Sequence, residues 1–297
     1  MFVELSVLDG SCFLLFMKFT TFPILAASLT LLCSCSSFSY RFPWQPKVTP
    51  NHPVLSGHDS VDDISKAPPL LQLSEAGLDP VAEKEIDRCF MRLGLADEVD
   101  QIADKTNFGE RKLLDFWNRS LQAEPMLIVL HETVVGEEAT LSLFQTPHPN
   151  DADQVSYHMV IARDGRRLRI VPDHNRAYGA GMSAFGDVTQ RIKPSSVGSV
   201  NNIALHISLV SPEDGRDDRS GHSGYTKAQY RNLAAQVLLW QAKFGIPLTR
   251  LTTHEAIDRS HSRYDPRSFR WDHFDFEYKA AARLCGFERF DKGTAGL

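Results

Sequence analysis

Residues 126–131, Met-Leu-Ile-Val-Leu-His, form an unbroken apolar run rich in branched side chains, which predicts a central strand with a histidine at its end. Residues 202–210 alternate instead. Ile203, Leu205, Ile207 and Leu209 point one way and Ala204, His206 and Ser208 the other, so His206 falls on the face opposite the greasier one. Runs at 156–162 and 167–171 flank Arg163, Asp164 and Gly165 and predict a hairpin. Between 226 and 244 the period lengthens to that of a helix: Tyr230, Leu233, Val237, Trp240 and Phe244 recur behind a Thr226/Gln229 capping box. A shorter helix is expected over 137–144. These elements predict one mixed α/β domain over 126–280, a central mixed sheet flanked by helices, followed by a C-terminal tail at 281–297.

Residues 73–125 are expected to form a helical extension packed on that domain. Asp79 reads as an N-cap with Pro80 at the first helical position, and Ile86, Phe90 and Leu93 follow at helical spacing. A second helix is expected over 109–121, through Leu113, Leu114, Phe116 and Trp117. Ahead of them, 36–72 carries Pro43, Pro46, Pro50, Pro53, Pro68 and Pro69 with no apolar stripe between, the pattern of a semi-extended tether.

Residues 1–35 read as an export segment rather than fold. Met17 and Lys18 open a charged start, an apolar stretch follows, and small residues surround Cys33 and Cys35. The apolar stretch is shorter than the roughly 20 residues a helix needs to cross hydrocarbon. Leu32, Ser34 and Cys35 resemble a bacterial lipobox, with Cys35 as the lipid acceptor, and Met17 is the expected start. The expectation is an exported protein, lipid-anchored to a bacterial membrane and periplasmic.

Composition narrows the partners. In 297 residues the net charge is −5 and the isoelectric point about 6.1, so no basic field draws the chain to nucleic acid. With Cys12 and Cys33 removed on export and Cys35 lipidated, Cys89 and Cys285 remain, as a disulfide or as two small buried side chains.

The candidate chemistry gathers on His131, His254 and Asp265. Two imidazoles and a carboxylate match the three protein ligands of a catalytic zinc site, which leaves a fourth position for water. His254 and Glu255 fail the zincin motif, because position 258 is Asp where a second histidine is needed. Asp258 and His261 are rival partners of His254, since all three would share a face if the segment were helical.

The run Val-Ser-Tyr-His-Met-Val-Ile-Ala-Arg-Asp-Gly at 155–165 is followed by Asn-Arg-Ala-Tyr-Gly-Ala-Gly-Met-Ser at 175–183 and Tyr-Thr-Lys-Ala-Gln-Tyr at 225–230. Thr-His-Glu-Ala-Ile-Asp at 253–258 and Arg-Tyr-Asp-Pro-Arg-Ser-Phe-Arg-Trp at 263–271 complete the series. In order, from about 126 to 275, these resemble the type-2 N-acetylmuramoyl-L-alanine amidases, a family similar to the peptidoglycan recognition proteins. The resemblance implies zinc on His131, His254 and Asp265, which favours Asp265 over its rivals. It also implies hydrolysis of the amide between N-acetylmuramic acid and L-alanine in peptidoglycan or muropeptides.

Three positions depart from the family pattern. Arg263 stands where Lys or Thr is common; its guanidinium suits an oxyanion but is too basic to shuttle protons. His206 stands where some members carry a glutamate base, and Gly179 replaces the histidine of a Trp-His-Ala-Gly motif. Tyr157 matches the catalytic tyrosine of the phage and recognition-protein branch. The expected catalytic set is therefore Tyr157, His206 and Arg263, with a non-catalytic peptidoglycan-binding lipoprotein of the same fold as the alternative. Phe269 and Trp271 read as core, and the charged stretch 214–219 as a solvated loop that could rim the groove.

Overall fold

The computed structural model describes residues 73, 76–193, 198–217 and 219–293. All of them fall within one compact unit, Pro46–Leu297. The export segment, Cys35 and the tether over 36–72 lie outside the described residues.

In chain order the protein builds α1 (Glu83–Leu93), β1 (Val99–Asp100), β2 (Phe108–Glu110), β3 (Leu127–Glu132) and α2 (Glu137–Gln145). There follow β4 (Met159–Ile161), β5 (Arg167–Arg169), β6 (Asn175–Ala177), β7 (Ala204–Leu209), α3 (Lys227–Phe244), β8 (Leu251–Thr253), α4 (His254–Ile257) and α5 (Trp271–Cys285). Six strands form one sheet in the order β1-β5-β4-β7-β3-β8, and β2 pairs with β6 apart from it. Strands β4, β7, β3 and β8 run parallel, while β5 runs antiparallel to β4. The sheet is mixed, as the pattern predicts.

Every residue of β3 and β7 is buried, which is why β3 reads as an unbroken apolar run. Leu205, Ile207 and Leu209 join Ile128, Leu130, Met159 and Ile161 in a core covered by α1, α3 and α5. Leu127, Val129 and Ala204 face the other way, against Val188, Val200 and Ile257. His131 shares the parity of Val129 on β3, and His206 shares that of Ala204 on β7.

The long helix α3 begins as its capping box predicts. The backbone N–H of Gln229 donates to Thr226 Oγ1 (3.1 Å) and that of Thr226 to Gln229 Oε1 (3.0 Å). It ends at Gly245, φ 66°, where a Cβ would lie 1.9 Å from the carbonyl oxygen of Leu78. The N–H groups of Leu78 and Val81 donate to Gly245 and Ala242, so the chain around Pro80 lies extended along the end of α3. That contact displaces the expected start at Asp79, and α1 begins at Glu83 with Ala82 as its N-cap.

Two further expectations are corrected. Residues 109–121 are not helical: β2 pairs with β6, and a bridge joins Leu114 to Ser120. Asp115 explains the turn, because Oδ1 accepts from the N–H groups of Trp117 and Arg119, both at 2.8 Å, a local bonding scheme that competes with a helix. Of the expected tail at 281–297, the described residues 281–293 are also part of the fold. Helix α5 continues to Cys285, and Phe287 and Phe290 are buried in the main core. A disulfide between Cys89 and Cys285 ties α1 to α5.

Candidate metal centre

His131 is the penultimate residue of β3, His254 opens α4 directly after the adjacent strand β8, and Asp265 lies in the loop before α5. Parallel pairing of β3 with β8 brings the two histidines together at one edge of the sheet. One ligand atom each from His131, His254 and Asp265 lies within 4.8 Å of the others, and all three residues are buried. Asp265 Oδ1 is 2.9 Å from His254 Nδ1 and Oδ2 is 3.3 Å from His131 Nδ1.

His131 Nδ1 is buried and makes no hydrogen bond. Such an atom is costly in an apolar interior unless something accepts its lone pair. Burial, then the neighbouring His254, lowers the His131 pKa to about 4, which keeps the ring neutral and able to bind a cation. Burial opposes ionisation of Asp265, but His254 and His131 outweigh it and hold the carboxyl well below the usual carboxylate range. Two imidazoles and one carboxylate with closely spaced donor atoms fit zinc, three protein ligands with a position left over.

The rivals do not join this cluster. Asp258 folds back on its own loop, accepting from Ser260, Ser262 and Arg263 backbone N–H groups at 2.7–2.9 Å, and His261 is exposed.

Tyr157 stacks on His131 with ring centroids 4.4 Å apart. Burial, then the charge of Asp265, pushes its hydroxyl pKa up, so it stays protonated at neutral pH. Arg263 is half-buried, and its charge is felt at both His131 and Tyr157. His206 is wholly buried; its Nδ1 is 2.9 Å from His131 Nε2. Gly179 packs against the His206 ring. His158 lies beyond: its Nδ1 accepts from the His206 N–H (3.0 Å), and its Nε2 is 3.2 Å from the Asn175 carbonyl.

The sequence reading missed what lies behind β3. Glu132 accepts from Tyr225 O–H (2.7 Å), His222 Nε2 (2.9 Å) and Arg267 Nε. His222 Nδ1 accepts from the Gly224 N–H, which leaves the ring proton on Nε2 for Glu132. Three further N–H groups of Arg267 donate to the carbonyls of Gly215, Asp217 and Arg219, so the charged stretch is pinned to the site rather than simply solvated. The only signal in the sequence was a charged residue beside each of two expected ligands. A groove of about 850 Å³ is lined by Glu255, Tyr264, Phe269 and Trp271 among others, chain neighbours of His254 and Asp265, but by neither ligand itself. Phe269 and Trp271 are half-buried in its wall rather than fully in the core.

Residues 121–268 match the family model described as N-acetylmuramoyl-L-alanine amidase. No curated protein sequence matches the chain. Among solved structures, a selenomethionine AmpD derivative is 23% identical, covering 62% of this chain and 96% of its own, with a TM-score of 0.44. The N-acetylmuramoyl-L-alanine amidase LysC from Clostridium intestinale is 19% identical, covering 62% and 99%, with a TM-score of 0.37. AmiD from E. coli, solved with its substrate anhydro-N-acetylmuramic acid-L-Ala-D-gamma-Glu-L-Lys, is 18% identical, covering 58% and 66%, with a TM-score of 0.40. Through the domain that residues 121–268 build, this chain belongs to the N-acetylmuramoyl-L-alanine amidase family.

Proposed function

We propose that this chain is a zinc-dependent amidase that hydrolyses the bond between N-acetylmuramic acid and L-alanine in peptidoglycan or its muropeptides. The observation that carries the reading is the buried trio of His131, His254 and Asp265, with its ligand atoms within 4.8 Å of one another inside the segment that matches the family. Zinc held by these residues supplies Lewis-acid chemistry, polarising a carbonyl and lowering the pKa of water toward about 7.

The protein's own groups complete the reaction. An amide carbonyl under attack develops negative charge on oxygen, and fixed donors lower that barrier. Tyr157 offers an O–H that burial keeps protonated, and Arg263 offers a charge that reaches the same place. His206 has no exposed surface, so it does not reach substrate as a general base would.

The chain is further read as exported and anchored through a lipid on Cys35, outside the cytoplasm. The charged start, apolar stretch and small residues from Met17 to Cys35 support this, as does the Cys89–Cys285 disulfide, since such bonds persist in oxidising compartments. Radiolabelled fatty acid incorporated into the parent and lost in Cys35→Ala is the expected result; equal labelling of both would contradict the anchor.

Digestion of purified sacculi with added zinc tests the activity: release of stem peptides with free L-alanine amino termini is expected. A protein that binds zinc and sacculi but releases nothing would be the non-catalytic binding lipoprotein instead.

A further inference from the structure

Gly179 and His206 approach more closely than any other residue at position 179 would allow. A Cβ built on Gly179 would lie 2.5 Å from Cγ and Nδ1 of His206 and 3.0 Å from Cδ2. The His206 ring thus rests on the bare backbone of position 179. Its own backbone is held on the other side, where the His158 N–H donates to the His206 carbonyl (2.9 Å) and the His206 N–H to His158 Nδ1 (3.0 Å). Ring and backbone are both fixed, and the ring is directed at His131.

The protons can be assigned. His131 turns Nδ1 toward Asp265, 3.3 Å from Oδ2, and a nitrogen that gives its lone pair to a metal carries no proton. The ring proton of His131 then sits on Nε2, 2.9 Å from His206 Nδ1. For that contact to be a hydrogen bond, His206 Nδ1 must accept, and its own proton resides on Nε2, which is buried without a partner.

We propose that His206 is a positioning residue that fixes the tautomer and ring angle of His131 by accepting its Nε2–H, and that Gly179 and His206 act as one unit because only glycine admits the ring. The two departures from the family pattern are then a single change: the side chain given up at 179 is the space that His206 fills. This inference rests on the metal-site reading above. It assigns His206 to the metal rather than to proton transfer with substrate. Groups that orient a metal-bound histidine in this way are typically worth about 10–100-fold in metal affinity.

The test is the zinc affinity of the purified protein, measured by competition with a chromophoric chelator, a readout independent of catalysis. His206→Leu keeps bulk but removes the acceptor and is expected to weaken zinc about 10–100-fold. His206→Asn keeps an acceptor near the Nδ1 position and is expected to restore most of the affinity. Gly179→Ala, which drives the ring away, is expected to lose as much as His206→Leu, and the double variant Gly179→Ala/His206→Leu no more than either alone. Parent-like affinity in His206→Leu or Gly179→Ala would overturn the proposal, as would additive losses in the double variant. Should His206→Leu fail to fold, the contrast between Gly179→Ala and His206→Asn decides: loss in the first with retention in the second supports the unit, and equal affinities overturn it. His131→Ala separates the two levels, because zinc binding that survives it refutes the metal site itself, whereas loss there with parent-like His206→Leu refutes only the role of His206.

Discussion

Glu132 and Arg267 lie 135 positions apart and form an ion pair with both side chains shut off from water. The pair joins β3, immediately after His131, to the loop immediately after Asp265, and the backbone N–H of Glu132 itself lies 3.3 Å from Asp265 Oδ2. A buried pair of this kind contributes little over a well-packed apolar pair, but breaking it strands one charge in the interior at about 3–5 kcal/mol. Glu132→Ala is therefore expected to lower the melting temperature by on the order of 10 °C and to reduce zinc content along with it. A melting curve within a degree or two of the parent would contradict the arrangement.

Tyr157 and Arg263 are assigned to the developing oxyanion. Removing one such donor typically lowers kcat by about 10²–10³-fold. Tyr157→Phe and Arg263→Ala are each expected to do so on a muropeptide while zinc content stays at the parent level, and Arg263→Lys to retain more activity than Arg263→Ala. Loss of zinc in Tyr157→Phe would mean that the ring stacked on His131 supports the ligand rather than the reaction.

His158 makes the fold sensitive to acid. Burial, then the charge of Arg111, lowers its pKa to about 3, against about 6.5 in an unfolded chain. Between those values the unfolded state binds a proton that the folded state refuses, so stability falls as pH drops below about 6.5, by about 1.4 kcal/mol per pH unit for this histidine until its folded pKa is reached. Urea midpoints of the metal-free protein at several pH values are expected to show this slope, reduced by about one proton in His158→Asn. An unchanged slope would show that His158 does not titrate on unfolding.

The Cys89–Cys285 disulfide spans 196 positions, and such a bridge limits the freedom of the unfolded chain. Its removal typically costs about 2–5 kcal/mol. Cys89→Ala, Cys285→Ala and the double variant are expected to melt alike, all well below the oxidised parent and equal to the parent in reductant. Additive losses would argue that the two sulfurs contribute independently.

The sheet and the long helix were legible because each is written in local pattern. The apolar run of β3, the alternation of β7 and the capping box of α3 need no knowledge of distant residues. The reading failed where tertiary contact overrides local preference. Leu113, Leu114, Phe116 and Trp117 are spaced for a helix, yet the Asp115 side chain bonds the backbone of Trp117 and Arg119 and folds a turn there. Asp79 and Pro80 are a plausible helix start, yet the end of α3 draws that stretch into extended pairing. Glu132, His222, Tyr225 and Arg267 come from separate stretches of chain and meet only after folding, as do Gly179 and His206. Choosing Asp265 over Asp258 needed either the family resemblance or the structure, because spacing alone treats both as neighbours of His254.

The central claim is that His131, His254 and Asp265 hold a zinc ion that drives cleavage of the muramoyl amide. Zinc content by elemental analysis, measured on the parent, His131→Ala and Asp265→Ala with a sacculus digest of the same preparations, tests it most directly. The account predicts one zinc per chain in the parent, with zinc and stem-peptide release lost together in both variants. Stem-peptide release that persists in a variant without zinc, or a parent that binds no zinc, would contradict it.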